Sequence, residues 1–498
     1  MHEWAPQLAK KRISWAATLW LGFLFLAIVL HDSRPAAALP LPTGNFRALP
    51  AFARKYGMPC SSCHEAWPKL SPFGQSFKDN GYQMGNDRDA PIFQQPAYWP
   101  VTFRITPIWH RESVGRVGVD GVVGGVPATV EQRVTTHGFD WSGLDFHTGG
   151  TLAKNVSFYV LPSSDSTATF HFESVWARLD NLLGSSWLNI KLGKFELDNL
   201  LSEKRILTLT NLAGTYQNYH FQPATENIYK FGIGDNQVGV EWMGHSKDDR
   251  TRVSATLLNS NDGQPNFTSN NGAEPTTTGR AYNGYFAASR AFEAGSLGLQ
   301  RVGGFALIGR APTYFQFTQN AGATGVTGTG VGNKSFYRVG LIGMWYVHKL
   351  DITSIYFHGS DSAFLGTNTP ANVALPAGAQ APTWNGGLFE THYNFNPQFI
   401  LINRYELIRM SRQAAPIIPG TVGATTVPGT SIVTGVPSSD FGNVDILTFG
   451  YRYYPFISSR AGFAFHNEFS ILRQRKISPV NGTDVNSSSL LAGFDFAF

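Results

Sequence analysis

The sequence has few charged residues and only two cysteines. Charged side chains make up 15% of the 498 residues, whereas about 25% is typical of soluble domains. The net charge of +5 is spread over the whole length, without the concentrated basic surface of a nucleic-acid-binding protein. Beyond the first thirty residues no apolar run is long enough for a membrane-spanning helix. These absences argue against a soluble helical enzyme, a nucleic-acid-binding protein and a helical membrane protein.

Aromatic residues and glycine are abundant instead. Aromatic residues reach 13%, and glycine occupies 52 positions. Abundant aromatic and aliphatic side chains favour burial and exclude a disordered chain. The composition therefore predicts a large β protein.

The first 38 residues have the pattern of a secretory signal. Three basic residues at positions 10–12 precede an uncharged apolar stretch from Trp15 to Leu30, and an Ala-x-Ala site ends at Ala38. This order is typical of a cleaved signal peptide, so we expect cleavage after Ala38. A retained anchor is the alternative, although the stretch is short for a span of about 20 residues. Either way the rest of the chain leaves the cytoplasm.

The two cysteines, Cys60 and Cys63, are followed directly by His64. A zinc site needs four ligands, and no second Cys/His pair has suitable spacing. A thioredoxin-like redox motif needs a βαβ context, which the sequence lacks. The pattern favours covalent haem c, with Cys60 and Cys63 as thioether ligands of the porphyrin and His64 as the proximal iron ligand. A structural disulfide or another metal site remains the alternative.

Residues 39–98 are predicted to form a small, mostly helical haem domain. Pro68 and Pro72 divide it into a short helix after His64 and a second helix near Phe73–Asn80. About sixty residues are marginal for an independent core, so another part of the chain is expected to shield the cofactor. Apolar side chains available to cover a haem face are Phe52, Trp67, Leu70, Phe73 and Phe77.

The distal iron ligand is not fixed by the motif. Met84 follows His64 by about twenty residues, and a thioether ligand would raise the reduction potential. Met58 precedes the first cysteine too closely to reach across the haem. A histidine of the second domain, or five-coordinate iron, are the alternatives to Met84.

From about residue 98 onwards, apolar and polar residues alternate in segments of about ten residues. Period-two alternation also fits a soluble β-sandwich. Large aromatic residues on one face and charges or glycine on the other favour a membrane barrel with lipid outside. Polar faces predicted to point into the lumen carry Glu241, Arg252, Arg404, Glu406, His466, Glu468 and Asp495.

Loop lengths predict how many strands the barrel has. Short turns occur near residues 154–155, 181–186, 246–250, 293–295, 348–350, 394–397 and 455–459. Longer loops are predicted at 111–139, 163–169, 197–236, 260–278, 311–333, 360–382, 410–441 and 473–486. Seven turns and eight loops predict an all-β transmembrane barrel of about sixteen antiparallel strands over residues 99–498. The terminal Phe498 is typical of bacterial outer-membrane barrels, and a lumen of this size has room for residues 39–98.

Four charged residues on the predicted inner face are candidates for a role in the lumen. Arg404, Glu406, His466 and Glu468 would hold the N-terminal domain, pair with haem propionates or guide cations. The alternative is an ordinary solvated barrel interior.

The order of these parts resembles a known family. A signal segment, then FARKYGMPCSSCHEAWPKLSPFGQSFKDNGY within residues 51–84, then a sixteen-strand barrel, resembles the fused outer-membrane monohaem cytochrome–porins of iron-oxidising bacteria. The resemblance implies an oxidoreductase that oxidises extracellular Fe(II) and passes the electron to a periplasmic cytochrome c or copper protein. It assigns Cys60, Cys63 and His64 to the haem and leaves the distal ligand open.

Two other functions fit the same sequence. The chain could be a diffusion porin whose haem-bearing segment gates or folds the pore. It could also transfer electrons with another donor or acceptor, such as a reduced sulfur compound or a mineral.

Overall fold

The computed structural model describes most of the chain from residue 51 onwards. The described residues are 51–56, 58–59, 62–66, 69–84, 89–92, 101–164, 169–197, 236–259, 282–313, 332–364, 375, 377–396, 398–412, 425–426, 433–434, 443–457, 462–474 and 485–497. The predicted signal segment, Cys60, Trp67 and Phe498 lie outside them, so cleavage after Ala38 stays a prediction. No helix among the described residues is long and apolar enough to cross a membrane.

Residues 51–92, called the N-terminal segment below, contain two short helices and a small hairpin. The helices are Ala51–Tyr56 and Pro72–Asp79, and the second lies where a helix is expected. The Ser71 hydroxyl caps it by accepting the Gly74 N–H at 3.1 Å, and Pro72 suits the first helical turn. The prediction of a short helix after His64 is wrong. There, strand β1 (His64–Ala66) pairs with β2 (Lys69–Leu70). Pro68 has no N–H to donate to the His64 carbonyl, so a helix through these residues would lose that hydrogen bond.

Sixteen antiparallel strands form a closed barrel in which β20 pairs with β3, which confirms the predicted sixteen-strand barrel. The first eight strands are β3 (Val101–Val123), β4 (Val126–Ala153), β5 (Val156–Ser164), β6 (Phe170–Leu179), β7 (Asn189–Glu196), β8 (Asn236–His245), β9 (Thr251–Asn259) and β10 (Tyr282–Glu293). The others are β11 (Leu299–Thr313), β12 (Gly332–Val347), β13 (Leu350–Asp361), β14 (Thr383–Asn396), β15 (Phe399–Arg412), β18 (Val444–Ile457), β19 (Gly462–Gln474) and β20 (Val485–Ala497). A separate two-stranded sheet joins β16 (Thr425–Thr426) to β17 (Val433–Thr434).

The predicted short turns all fall at one end of the barrel, called the short-turn end below. For example, β12 and β13 are joined by His348 and Lys349 alone. The prediction of a long loop at 111–139 is wrong. Strands β3 and β4 extend over these residues and form a hairpin that is closed by Gly124 and Gly125. Both glycines have positive φ, 59° and 84°, as a two-residue hairpin turn requires.

On the strands whose alternation was used to predict the barrel, the inner and outer faces are as predicted. On β8 and β9, Val240 and Leu257 face outwards and are 43% and 53% exposed, whereas Glu241 and Thr256 face inwards and are buried. The outer face is apolar, as a lipid-facing surface must be. The charged residues predicted to face the lumen do so.

The inner face is not uniformly polar. A buried apolar cluster covers the inner side of β9 to β18, and the expectation of a polar lumen is wrong there. On this wall the Phe357 ring lies across Gly386, where a Cβ atom would come within 2.0 Å of it. Glycine thus makes room for inward aromatic rings. Members of the cluster include Tyr285, Phe305, Leu307, Ile342, Met344, Ile355, Phe357, Leu388, Ile408 and Ile446.

Candidate cofactor site at the short-turn end

The Cys-x-x-Cys-His motif lies against the start of the second helix. The backbone N–H of Ser71 donates to the Cys63 carbonyl at 2.8 Å, and the Ser71 hydroxyl donates to the Ser62 carbonyl at 3.1 Å. His64 pairs with Leu70 in the small hairpin. One serine thus caps the helix and fixes the loop that carries Cys63 and His64. Cys60 lies outside the described residues.

Gly74 permits a very close approach between this loop and the helix. A Cβ atom at position 74 would lie 2.1 Å from the Cys63 carbonyl oxygen, far inside van der Waals contact, so only glycine fits. Burial raises the pKa of the Cys63 thiol to about 11. The Cys63 side chain is half-buried.

An aromatic cluster joins the N-terminal segment to the inner wall of the barrel. Tyr82 stacks on Phe52 with ring centroids 5.0 Å apart, and its ring lies 6.0 Å from Tyr159 and 6.2 Å from Trp176. Tyr82 has a positive φ of 63°, and its N–H donates to the Phe77 carbonyl at 2.9 Å. The left-handed backbone conformation at Tyr82, just after the helix, turns its ring towards the wall.

Buried polar contacts hold the C-terminal end of the helix Pro72–Asp79. The Asp79 carboxylate pairs with Arg252 on β9 at 2.6 Å, with side chains 2% and 7% exposed. The Asp79 carbonyl accepts a hydrogen bond from Arg178 on β6 at 2.8 Å, and Gln75 donates to the Asp79 carboxylate at 2.8 Å. Lys78 lies 3.5 Å from Glu196. Charge-assisted hydrogen bonds of this kind are the strong ones in proteins.

Further contacts involve the short turns. Ile92 and Asn155 exchange two hydrogen bonds, of 2.6 and 2.7 Å. The Asn181 amide donates to the Ala90 carbonyl at 2.8 Å, and Ser76 donates to Asp249 at 2.8 Å. These partners place the attachment at the short-turn end.

Asp89 belongs to the most exposed ion pair described for this attachment. It pairs with Lys247 and accepts the backbone N–H of Ser186 at 3.1 Å. The contact with Lys247 and the bond from Ser186 lower the pKa of the Asp89 carboxyl.

A cavity of about 530 Å³ lies between the N-terminal segment and the inner wall. Phe73 and Met84 line it on one side, and Ala291, Met344 and Tyr346 line it on the other. Its volume is within the range of about 300–1,000 Å³ that is typical of small-molecule and cofactor sites. Met84, the predicted distal ligand, is 46% exposed and lines this cavity.

The four lumen candidates from the sequence lie elsewhere on the inner face. Arg404 on β15 pairs with Glu390 on β14 at 2.7 Å, with Glu468 on β19 at 3.3 Å and with Glu406 on its own strand at 4.0 Å. His466 contacts Asp495 at 2.9 Å. The prediction that these residues face the lumen is confirmed, but their partners named here belong to the barrel wall.

Sequence reasoning missed the wall residues that hold the N-terminal segment. The available signal is on β6, where Trp176 and Arg178 alternate with Val175, Ala177 and Leu179. An arginine beside an inward tryptophan is unusual for a strand facing only water, and Arg178 lies 5.7 Å from the Trp176 ring.

No protein-family model and no curated protein matches this sequence. Solved structures with a similar fold include the channel DcaP of Acinetobacter baumannii, at 11% identity and a TM-score of 0.46, with 82% of this chain and 99% of that chain covered. An anion-selective porin from Comamonas acidovorans is similar at 10% identity and a TM-score of 0.47, covering 80% and 100%. OprB of Pseudomonas putida is similar at 9% identity and a TM-score of 0.45, covering 85% and 96%.

Proposed function

We propose that this chain is an outer-membrane cytochrome–porin fusion that oxidises extracellular Fe(II) and passes the electron to a periplasmic carrier. One observation carries the proposal: the segment with the Cys-x-x-Cys-His motif contacts the inner barrel wall beside a cavity of cofactor size. A porin without a cofactor has no need of this motif.

The residues present fit a covalent haem. Cys63 is half-buried and His64 is held by the small hairpin, while Cys60 completes the motif in sequence. Phe73, Phe77 and Leu70 line the neighbouring cavity with apolar surface. A bound haem c supplies one-electron redox chemistry whose potential depends on axial ligands, burial and hydrogen bonding. The role of the chain is to tether the group, exclude water and fix its position in the barrel.

The position of the site suits electron transfer towards the periplasm. In bacterial outer-membrane barrels the short turns face the periplasm and the long loops face outwards. The N-terminal segment is attached at the short-turn end, within reach of a soluble cytochrome c or copper protein. Fe(II) oxidised outside leaves insoluble Fe(III) outside, so an electron rather than the metal must cross the bilayer core of about 30 Å.

The direct test is a spectrum and redox titration of the full chain, matured in a host that attaches haem c, with Fe(II) as the electron donor. We expect a covalent haem spectrum and reduction of the oxidised protein by Fe(II). The matched control is the Cys60→Ala/Cys63→Ala double variant, which should lack both. Absence of covalent haem in the wild type, or iron oxidation by the double variant, would contradict the proposal.

A diffusion porin is the second candidate, favoured by the barrel itself. Sixteen-strand barrels enclose a lumen wide enough for an aqueous channel. Single-channel conductance in planar bilayers separates the two functions. A large, stable conductance of the haem-loaded protein supports the porin, whereas a small conductance supports a barrel occupied by the N-terminal segment.

A further inference from the structure

Three arginines face outwards on neighbouring strands of the barrel and are called the arginine surface below. They are Arg409 on β15, Arg473 on β19 and Arg111 on β3. Side chains alternate between the two faces of a strand, so Arg473 shares the outer face with Phe469, which is 36% exposed. Arg111 pairs with outward Leu490 across β3 and β20. Arg111 and Arg473 are exposed, and Arg409 is half-buried.

The three arginines lie at the same height in the barrel. Each of their strands begins at the short-turn end, and Arg409 is the eleventh residue of β15. Arg473 is the twelfth residue of β19, and Arg111 is the eleventh of β3. A tilted strand crosses the hydrocarbon core of a bilayer in about 9–11 residues. The arginine surface therefore lies at the boundary of that core on the side of the long loops.

The arginine surface carries more positive than negative charge. The Arg409 guanidinium is held in place, because it donates to the Ile408 and Val444 carbonyls at 3.0 and 2.9 Å and pairs with Asp445. Asp445 also lies opposite Arg473 in the strand register. Among the described outward residues of β15, β18, β19, β20 and β3, Asp445 is the single carboxylate. Adjacent strands are about 4.8 Å apart, so cations two strands apart can contact one ligand.

The short-turn end of the same strands has aromatic residues on its outer face instead. The Phe463 ring lies 4.9 Å from Phe465, 5.2 Å from Phe494 and 6.2 Å from Phe496. Aromatic belts are typical of the boundary between lipid and water. The two boundaries of the barrel wall therefore differ, with aromatic rings at the short-turn end and cations at the long-loop end.

We propose that the arginine surface binds the phosphate groups of a phosphorylated glycolipid in the outer leaflet of the membrane. Such lipids form the outer leaflet of a bacterial outer membrane, whereas phospholipids form the inner one, so the lipids differ between the leaflets as the two boundaries of the wall do. Guanidinium groups bind phosphate oxygens through paired N–H donors. Leu447, Phe449 and Phe469 lie nearer the centre of the membrane on the same face, and they offer exposed apolar surface to the acyl chains.

This inference goes beyond the proposed function and takes from it only the location in an outer membrane. It requires neither haem nor iron. The lipid measurement therefore fails or succeeds independently of the redox titration.

The test measures binding of diphosphorylated lipid A to the full chain in detergent, from the lipid retained by the protein at increasing lipid concentration. Arg111→Gln/Arg473→Gln removes two cations and leaves Arg409, which bonds to the neighbouring strand, in place. Each cation near an anionic lipid surface contributes about 1 kcal/mol, so the affinity for lipid A should fall about 30-fold at low salt. The matched control is Lys154→Gln/Arg290→Gln, which removes the same charge from a short turn and from the short-turn end of β10. The control should bind lipid A as the wild type does.

Two further probes identify what the surface recognises. Dephosphorylated lipid A keeps the acyl chains, and phosphatidylglycerol keeps one phosphate without the sugars; both should bind more weakly than lipid A. Equal lipid A affinity of the wild type and the Arg111→Gln/Arg473→Gln variant, or an equal loss in the control, would overturn the site. Binding of phosphatidylglycerol as tight as that of lipid A, or full displacement of lipid A by inorganic phosphate, would overturn the glycolipid assignment. Heat-dependent migration on gels checks that each barrel is folded.

Discussion

Two buried ion clusters on the inner face of the barrel use the same residue types for different purposes. Arg404 is surrounded by Glu390, Glu406 and Glu468, all from strands of the barrel wall. Arg252 pairs with Asp79, which is 173 residues away in sequence and belongs to the N-terminal segment. The first cluster ties the wall to itself, and the second ties the segment to the wall. An inward-facing charge on a strand therefore does not by itself identify where the N-terminal segment is attached. The residue that pairs with the charge does.

The charge balance of the two clusters also differs. Arg404 faces three carboxylates, all 1% exposed or less at their side chains, so its guanidinium offsets repulsion among them. Arg252 pairs with the Asp79 carboxylate, which also accepts a hydrogen bond from Gln75. Removing Arg404 should thus damage the barrel, whereas removing Arg252 should loosen only the attached segment.

The largest effect is expected for Arg404→Leu. The variant leaves buried carboxylates without their cation, and breaking a buried pair in this way costs about 4–5 kcal/mol. The unfolding midpoint in urea, measured in lipid vesicles, should fall strongly. Arg412→Leu is the matched control, because Arg412 is an exposed residue of the same strand. Equal midpoints for the two variants would show that the cluster does not stabilise the wall.

A smaller and local effect is expected for Arg252→Leu. Asp79 stays buried without the Arg252 guanidinium, which costs about 3 kcal/mol. The N-terminal segment should become more accessible to added protease, while the urea midpoint of the barrel changes little. Arg250→Leu is the control, because Arg250 lies in the adjacent turn and pairs with exposed Glu293. If the barrel midpoint falls as far as in Arg404→Leu, the two clusters do not have separate roles.

The sequence predicts the two faces of each strand much better than it predicts the partners across the lumen. Alternation places Arg404, His466 and Glu468 on the inner face, because the side-chain period of a strand is two. Partners depend instead on register and on contacts between distant elements. The pairing of Asp79 with Arg252 has no local sequence signal, so the attachment could not be found from sequence alone.

The apolar wall and the long hairpin were missed for physical reasons that differ. On β12, Leu341 and Ile342 are adjacent and face opposite sides, so alternation cannot reveal which side meets lipid. The segment around Gly124 and Gly125 is rich in glycine and polar residues, as loops are. Its two adjacent glycines between apolar runs are nevertheless a recognised hairpin signal.

The third prediction concerns the loop of the N-terminal segment that carries the Cys-x-x-Cys-His motif. Gly74→Ala places a methyl group against the Cys63 carbonyl, and overpacking of this kind costs about 2 kcal/mol. The helix must move away from the motif loop, so the yield of covalent haem should fall while the barrel still folds. Gly138→Ala is the control, because no atom lies within 4 Å of the position its Cβ would occupy. Unchanged haem content in Gly74→Ala would show that this close contact does not position the motif.

The smallest effect is expected at Asp89, where the attachment reaches solvent. Its carboxyl pKa is lowered in the folded protein by Lys247 and the Ser186 N–H, and the unfolded value is about 3.9. A lowered pKa contributes stability that is present above the unfolded value and is lost as the pH falls through the folded value. Protease accessibility of the N-terminal segment should therefore rise in acid, and Asp89→Asn should remove this part of the pH dependence.

Because the Lys247 side chain is 77% exposed, added salt should weaken the contact between Asp89 and Lys247, whereas the buried pair of Asp79 and Arg252 should resist added salt. An identical salt response of Asp89→Asn and Arg252→Leu would contradict the division into an exposed and a buried part of the attachment.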